Sequence, residues 1–146
     1  MQKHSLLKFY FIFFIIASCN TGDGQNAQNW TSKDLTEPAS LATALQQNKN
    51  VPMIFSVGPD AVIPNSVDIG MVKDEKNLEK FRSQLTKLPK DTNILIYCGC
   101  CPFEHCPDVR PAIALLQQMK FTNYHLLDLP HNIKTDWIGK GYPTVK

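Results

Sequence analysis

Arginine is scarce in this 146-residue chain, which has only Arg82 and Arg110, and cysteine is confined to Cys19 and the interval from Cys98 to Cys106. No segment repeats another, and no long low-complexity tract is present beyond a short polar stretch near the N-terminus. With 43% hydrophobic residues the chain can bury one ordinary core, but it is too short for two full domains plus a targeting segment. The cysteines are placed too close together to staple a fold, since a disulfide between any two of the last four would close only a tiny loop. They also lack the paired Cys-x-x-Cys units of common zinc sites. Clustering without stapling points to chemistry.

The longest apolar run, Phe9 to Ile16, follows Lys3 and Lys8 and is too short to remain as a bilayer span. It reads as a signal peptide, residues 1–18. Its end, Ile16-Ala17-Ser18-Cys19, resembles the lipobox of bacterial lipoproteins, which implies lipidation at Cys19 and attachment to the cell membrane or outer membrane, facing the periplasm or exterior. The Gly- and Asn-rich residues up to Asn29 have nothing to bury and are expected to form a tether (19–29), leaving residues 30–146 as one domain. Cleavage removes Lys3 and Lys8 from fifteen basic residues, leaving thirteen against thirteen acidic ones. A neutral mature protein argues against a nucleic-acid partner.

Along the domain, Glu37-Pro38 with Ala39, Leu41, Ala42 and Leu45 predicts a helix over Pro38–Gln47. Val51–Val57, ending in Gly58-Pro59, predicts a strand buried on both faces. A short strand is expected near Ser66–Ile69 and an amphipathic helix over Asn77–Leu88, stopped by Pro89. Asn93–Tyr97 and Tyr124–Leu129 read as strands, with a helix through Ile113, Leu115, Leu116 and Met119 between them and a last helical turn over Lys134–Gly139. Tyr97, Phe121 and Trp137 are expected in the core. Alternating strands and helices predict an α/β fold with a mostly parallel sheet covered on both faces.

Ligands of open α/β folds bind beyond the C-terminal strand ends, where loops enter helices with unpaired backbone N–H groups. Cys98 is expected at such a point, facing the positive end of a helix that starts near Asp108–Pro111, with Asp108 as its N-cap. Oriented N–H groups favour a thiolate. Arg110, in the same turn, suits charge-assisted hydrogen bonds to an anionic substrate.

Ile94-Leu95-Ile96-Tyr97-Cys98, a loop, and Arg110-Pro111-Ala112-Ile113-Ala114-Leu115-Leu116 together resemble the rhodanese-like domain family. Ala61–Gly70 and Trp137 with Gly141-Tyr142-Pro143 extend the resemblance over nearly all of residues 30–146. It implies a three-layer α/β/α domain and a sulfurtransferase or sulfane-sulfur carrier working through a cysteine persulfide, with no cofactor. Cys98 would be the nucleophile and Arg110 an anion stabiliser. The implied partners are a small donor such as thiosulfate or a polysulfide and a thiol or protein acceptor. The sequence departs from the family in the long insertion Gly99–Val109, in Ser56-Val57-Gly58-Pro59 where the family has Asp-Val-Arg, and in Leu129-Pro130-His131-Asn132 where it has a glycine pair. The related phosphatases place arginine six positions after the cysteine, but Glu104 stands there and the phosphatase reading is rejected.

Cys100, Cys101 and Cys106 remain open among a loop disulfide, resolving thiols and metal ligands. The metal reading is a copper- or zinc-binding module using Cys100, Cys101, His105 and Cys106, with His131 also within conceivable reach. A thiol-disulfide redox module and a catalytically silent binding domain are also compatible with the same cluster.

Overall fold

The computed structural model describes residues 30–145; the leader, the lipidation site Cys19 and the tether assigned above lie outside the described residues. Five strands form one parallel sheet: β1 (Leu35–Thr36), β2 (Met53–Ser56), β3 (Ser66–Asp68), β4 (Ile94–Tyr97) and β5 (Tyr124–Leu127). Their spatial order is β1-β5-β4-β2-β3, which puts β4 at the centre. The helices are α1 (Pro38–Gln47), α2 (Glu75–Leu85), α3 (Val109–Gln118) and the single turn α4 (Ile133–Asp136). Among the described residues no helix is long and apolar enough to cross a membrane.

Period-two alternation sorts each strand between two cores. Phe55, Val57, Ile94 and Ile96 pack with Phe81 and Leu85 of α2 and with Val109, Ala112, Ile113 and Leu116 of α3. Ile54, Leu95 and Tyr97 pack on the other face with Leu41 and Ala42 of α1 and with Trp137. This is the three-layer α/β/α arrangement expected from the alternating elements. Cys98 continues the alternation of Ile94 and Ile96, so its side chain belongs to the α2/α3 face.

Most element ends fall within a few residues of the expected ones, and the differences have local causes. Helix α2 starts at Glu75 because Asp74 caps it, accepting from the Lys76 amide at 2.9 Å. It ends at Leu85, and Thr86 to Leu88 continue only as turns. Strand β1 is not anticipated by the sequence pattern; its two residues pair with Leu126 and Leu127 and carry too little periodicity to detect. Tyr97, Phe121 and Trp137 are buried, as expected. The Tyr97 hydroxyl accepts the Ile63 amide at 3.2 Å and lies 3.3 Å from the Ser66 hydroxyl, which docks the segment before β3 onto the end of β4.

Candidate active site at the end of the central strand

Cys98 is the first residue beyond β4 and is 1% exposed. From it the chain turns through Cys100 and Cys101, makes a 3₁₀ turn at Phe103–His105, and enters α3 at Val109 after Cys106. Three anchors hold this loop. The Phe103 amide donates to the Leu129 carbonyl at 3.2 Å, the Ile133 amide donates to the Gly99 carbonyl at 3.0 Å, and the Phe103 ring meets Trp30 edge-on at 6.1 Å. Gly99 needs to be glycine there, because a β-carbon would stand 2.8 Å from Ile133 Cβ.

The loop brings four sulfurs together. The Sγ atoms of Cys98, Cys100, Cys101 and Cys106 all lie within 4.8 Å of one another, and all four are free thiols. Cys98 to Cys100 and Cys100 to Cys101 are each 3.3 Å apart. Cys98 and Cys106 are buried, Cys101 is half-buried and Cys100 is exposed. His105 is exposed and stands outside this group. His131 is turned to Asp136, with Nδ1 2.9 Å from Oδ1.

The helix amides expected at Cys98 meet a different thiol. The backbone N–H groups of Asp108 and Val109, at the start of α3, favour the ionised form of Cys106. Cys106 is held down at about 6, first by the Cys98 thiol and then by those amides, against the opposing effect of burial. Cys98 is pushed well above the ordinary thiol range by its interaction with Cys106 and by burial. Cys101 is pushed up to about 12 by burial, then by Cys100 and Cys106. Cys106 is therefore held below the ordinary thiol range while Cys98 and Cys101 are held above it.

Two neighbouring residues take hydrogen-bond partners that the sequence does not specify. Asp108 occupies the N-cap position of α3 but makes no cap bond; its Oδ1 accepts the Lys73 amide at 2.8 Å instead, tying the start of α3 to the approach of α2. It is 1% exposed, so this bond replaces its hydration. Arg110, in the first turn of α3, donates from Nη2 to the Glu104 carbonyl at 3.2 Å and thereby braces the loop.

Gly58 was missed by sequence reasoning. A β-carbon there would lie 2.8 Å from Cys98 Sγ, so the bare backbone after β2 forms one wall of the sulfur site. Its replacement of the usual acidic-hydrophobic-basic segment was the available signal. Cys98 also joins the candidate metal ligands, although a search for two paired Cys-x-x-Cys units leaves it out. Cys98-Gly99-Cys100-Cys101 is one such unit, and the loop completes it with Cys100 and Cys106 rather than with a second unit.

The fold is that of rhodanese-like domains. The chain is similar to the rhodanese-like domain of an Anabaena protein (TM-score 0.54, 19% identity, 77% of this chain and 78% of that one). It is similar to a Bacillus halodurans protein (TM-score 0.58, 20% identity, 77% of each chain). It is also similar to a single-domain sulfurtransferase of Saccharomyces cerevisiae (TM-score 0.52, 17% identity, 77% of this chain and 95% of that one). No protein-family profile and no curated protein matches the sequence.

Proposed function

We propose that the protein is a sulfurtransferase or sulfane-sulfur carrier that works through a persulfide on Cys98, held at the cell envelope by lipidated Cys19. The observation that carries the reading is the Cys98 sulfur at the end of the central strand with a second sulfur, that of exposed Cys100, 3.3 Å away. The rhodanese-like fold, shared with a yeast sulfurtransferase, supports it.

Sulfur enters through Cys100. Its thiolate attacks the sulfane sulfur of thiosulfate or a polysulfide; the donor's sulfur–sulfur bond breaks, and sulfite or the shortened polysulfide leaves with the electron pair. Cys98, passing its proton to the neighbouring Cys106 sulfur, then attacks the outer sulfur of the Cys100 persulfide, restoring the Cys100 thiolate and leaving the persulfide in the buried position. An acceptor thiolate draws the sulfur off by the reverse sequence. Arg110 spends one N–H on Glu104 and keeps others for the anionic donor.

The test is intact-mass spectrometry of the reduced protein before and after thiosulfate or polysulfide, with peptide mapping of the added mass. The wild type gains one sulfur atom localised to Cys98, whereas Cys98→Ser can load only the exposed Cys100 and retains less. Equal retention by Cys98→Ser, or no uptake by a folded wild type, refutes the reading.

A further inference from the structure

We infer that Cys98, Cys100, Cys101 and Cys106 form a four-thiolate site for one thiophilic divalent ion of the zinc type. The inference concerns metal and stands whether or not the same thiols carry sulfur.

Size is the first argument. A tetrahedral zinc ion with bonds of about 2.3 Å sets its sulfurs about 3.8 Å apart. Two of the sulfur–sulfur separations here are 3.3 Å and none exceeds 4.8 Å, so the set brackets the required edge before any ion enters. Small side-chain rotations suffice. An iron–sulfur cluster distributes its cysteines over several irons and needs a wider ring than this one.

Donor chemistry is the second. Four sulfurs with no oxygen or nitrogen among them make a closed, soft donor set, which selects zinc-like ions over magnesium or calcium. Binding displaces the thiol protons and builds negative charge on the ligands.

Preorganisation is the third. Cys98 is fixed by β4, Cys106 by the start of α3, and the stretch between them by the Leu129 carbonyl and the Ile133 amide. Binding therefore orders only the side chains of Cys100 and Cys101. The fourth position is a protein sulfur, so the ion is held without an open coordination site. A loaded site closes Cys98 and Cys100 to sulfur donors, and metal then acts as an off-state for the proposed transfer.

The experiment is an anaerobic cobalt(II) titration of the full reduced chain in a Cys19→Ser background, followed by zinc displacement and iodoacetamide mapping. One equivalent of cobalt should give the thiolate charge-transfer and visible bands of a tetrahedral four-sulfur site, and one equivalent of zinc should bleach them. Zinc should protect all four cysteines together. Cys101→Ser and Cys100→Ser, at the less buried positions, should lose at least the roughly 10–100-fold in affinity that removing a mere supporting group costs. His105→Ala should bind like the parent protein. Cobalt spectra without thiolate bands, alkylation unchanged by zinc, or wild-type affinity in both serine variants of circular-dichroism-verified fold would overturn the assignment. Sulfur uptake is read separately by mass, so loss of one activity leaves the other measurable.

Discussion

Gly58→Ala perturbs the sulfur site without touching a sulfur. The Val57 amide bonds the Tyr97 carbonyl at 2.9 Å, so Gly58 leaves β2 beside the point where Cys98 leaves β4. The new β-carbon would sit 2.8 Å from Cys98 Sγ, 3.2 Å from Cys98 Cα and 3.3 Å from the Gly99 amide nitrogen, whereas ordinary contact begins at 3.4 Å. The sulfur must retreat by about 0.6 Å, and the two backbone atoms give way little, because overpacked interiors shift only at a cost of about 1–3 kcal/mol. The expected result in urea denaturation is a loss of that size. Cobalt affinity and the rate of sulfur uptake should fall with it, since Cys98 is the sulfur displaced. Gly141→Ala is the comparator: its φ of 71° penalises alanine, but nothing lies within 4 Å of the added carbon. It should cost about 1–2 kcal/mol from the left-handed backbone alone and leave the sulfur site unchanged. If Gly58→Ala matches wild type within about 0.5 kcal/mol, the ordinary scatter of surface substitutions, and binds cobalt equally well, the packing argument for Cys98 is wrong.

Tyr97→Phe removes the acceptor of the Ile63 amide and should destabilise the protein by about 1–3 kcal/mol, the cost of a buried donor left unpaired; an unchanged urea midpoint would contradict this. Asp108→Ala should lose about 1.5–3 kcal/mol, the range for hydrogen bonds to a charged group, and amide exchange should rise at Lys73; protection at Lys73 equal to wild type would count against the bond. Burial tends to raise the Asp136 carboxyl, but the His131 amide and ring and the Asn132 amide outweigh it and hold the group below the ordinary carboxylate range. A depressed folded-state value stabilises the fold above the unfolded value of about 3.9 and is lost as pH falls through the folded one. Thermal melts should therefore show an acid limb below the ordinary carboxylate range that Asp136→Asn flattens, and identical limbs in both proteins would refute the assignment.

The layer order and the position of Cys98 were legible in the sequence because both rest on periodicity. Ile94-Leu95-Ile96-Tyr97 is buried throughout, and the same two-residue period that identifies the strand says which face Cys98 joins. What periodicity cannot carry is partner choice within a loop. The cysteine cluster was visible as spacing, but which sulfur receives the α3 amides depends on how the 3₁₀ turn at Phe103–His105 folds back, and that is set by a carbonyl on Leu129, far along the chain. Asp108 shows the same limit. Its position before Val109 satisfies the sequence rule for a cap, and a distant amide on Lys73 outcompetes the local one. Gly58 acts by having no side chain, which a hydrophobicity pattern records only as a break.

The chain has two tryptophans, and both are tied to the cysteine loop. Trp30 lies against Phe103 inside that loop, and Trp137 donates its backbone amide to Ile133, whose own amide holds Gly99 between the first two cysteines of the cluster. The Trp137 indole is fully buried, with Nε1 bonded to the Pro143 carbonyl at 2.7 Å. Any rearrangement of the loop thus reaches an indole from either side. The two indoles are placed to serve as optical reporters, and intrinsic emission, resolved with Trp30→Phe and Trp137→Phe, should change when the sulfurs bind metal or are oxidised, with no added label.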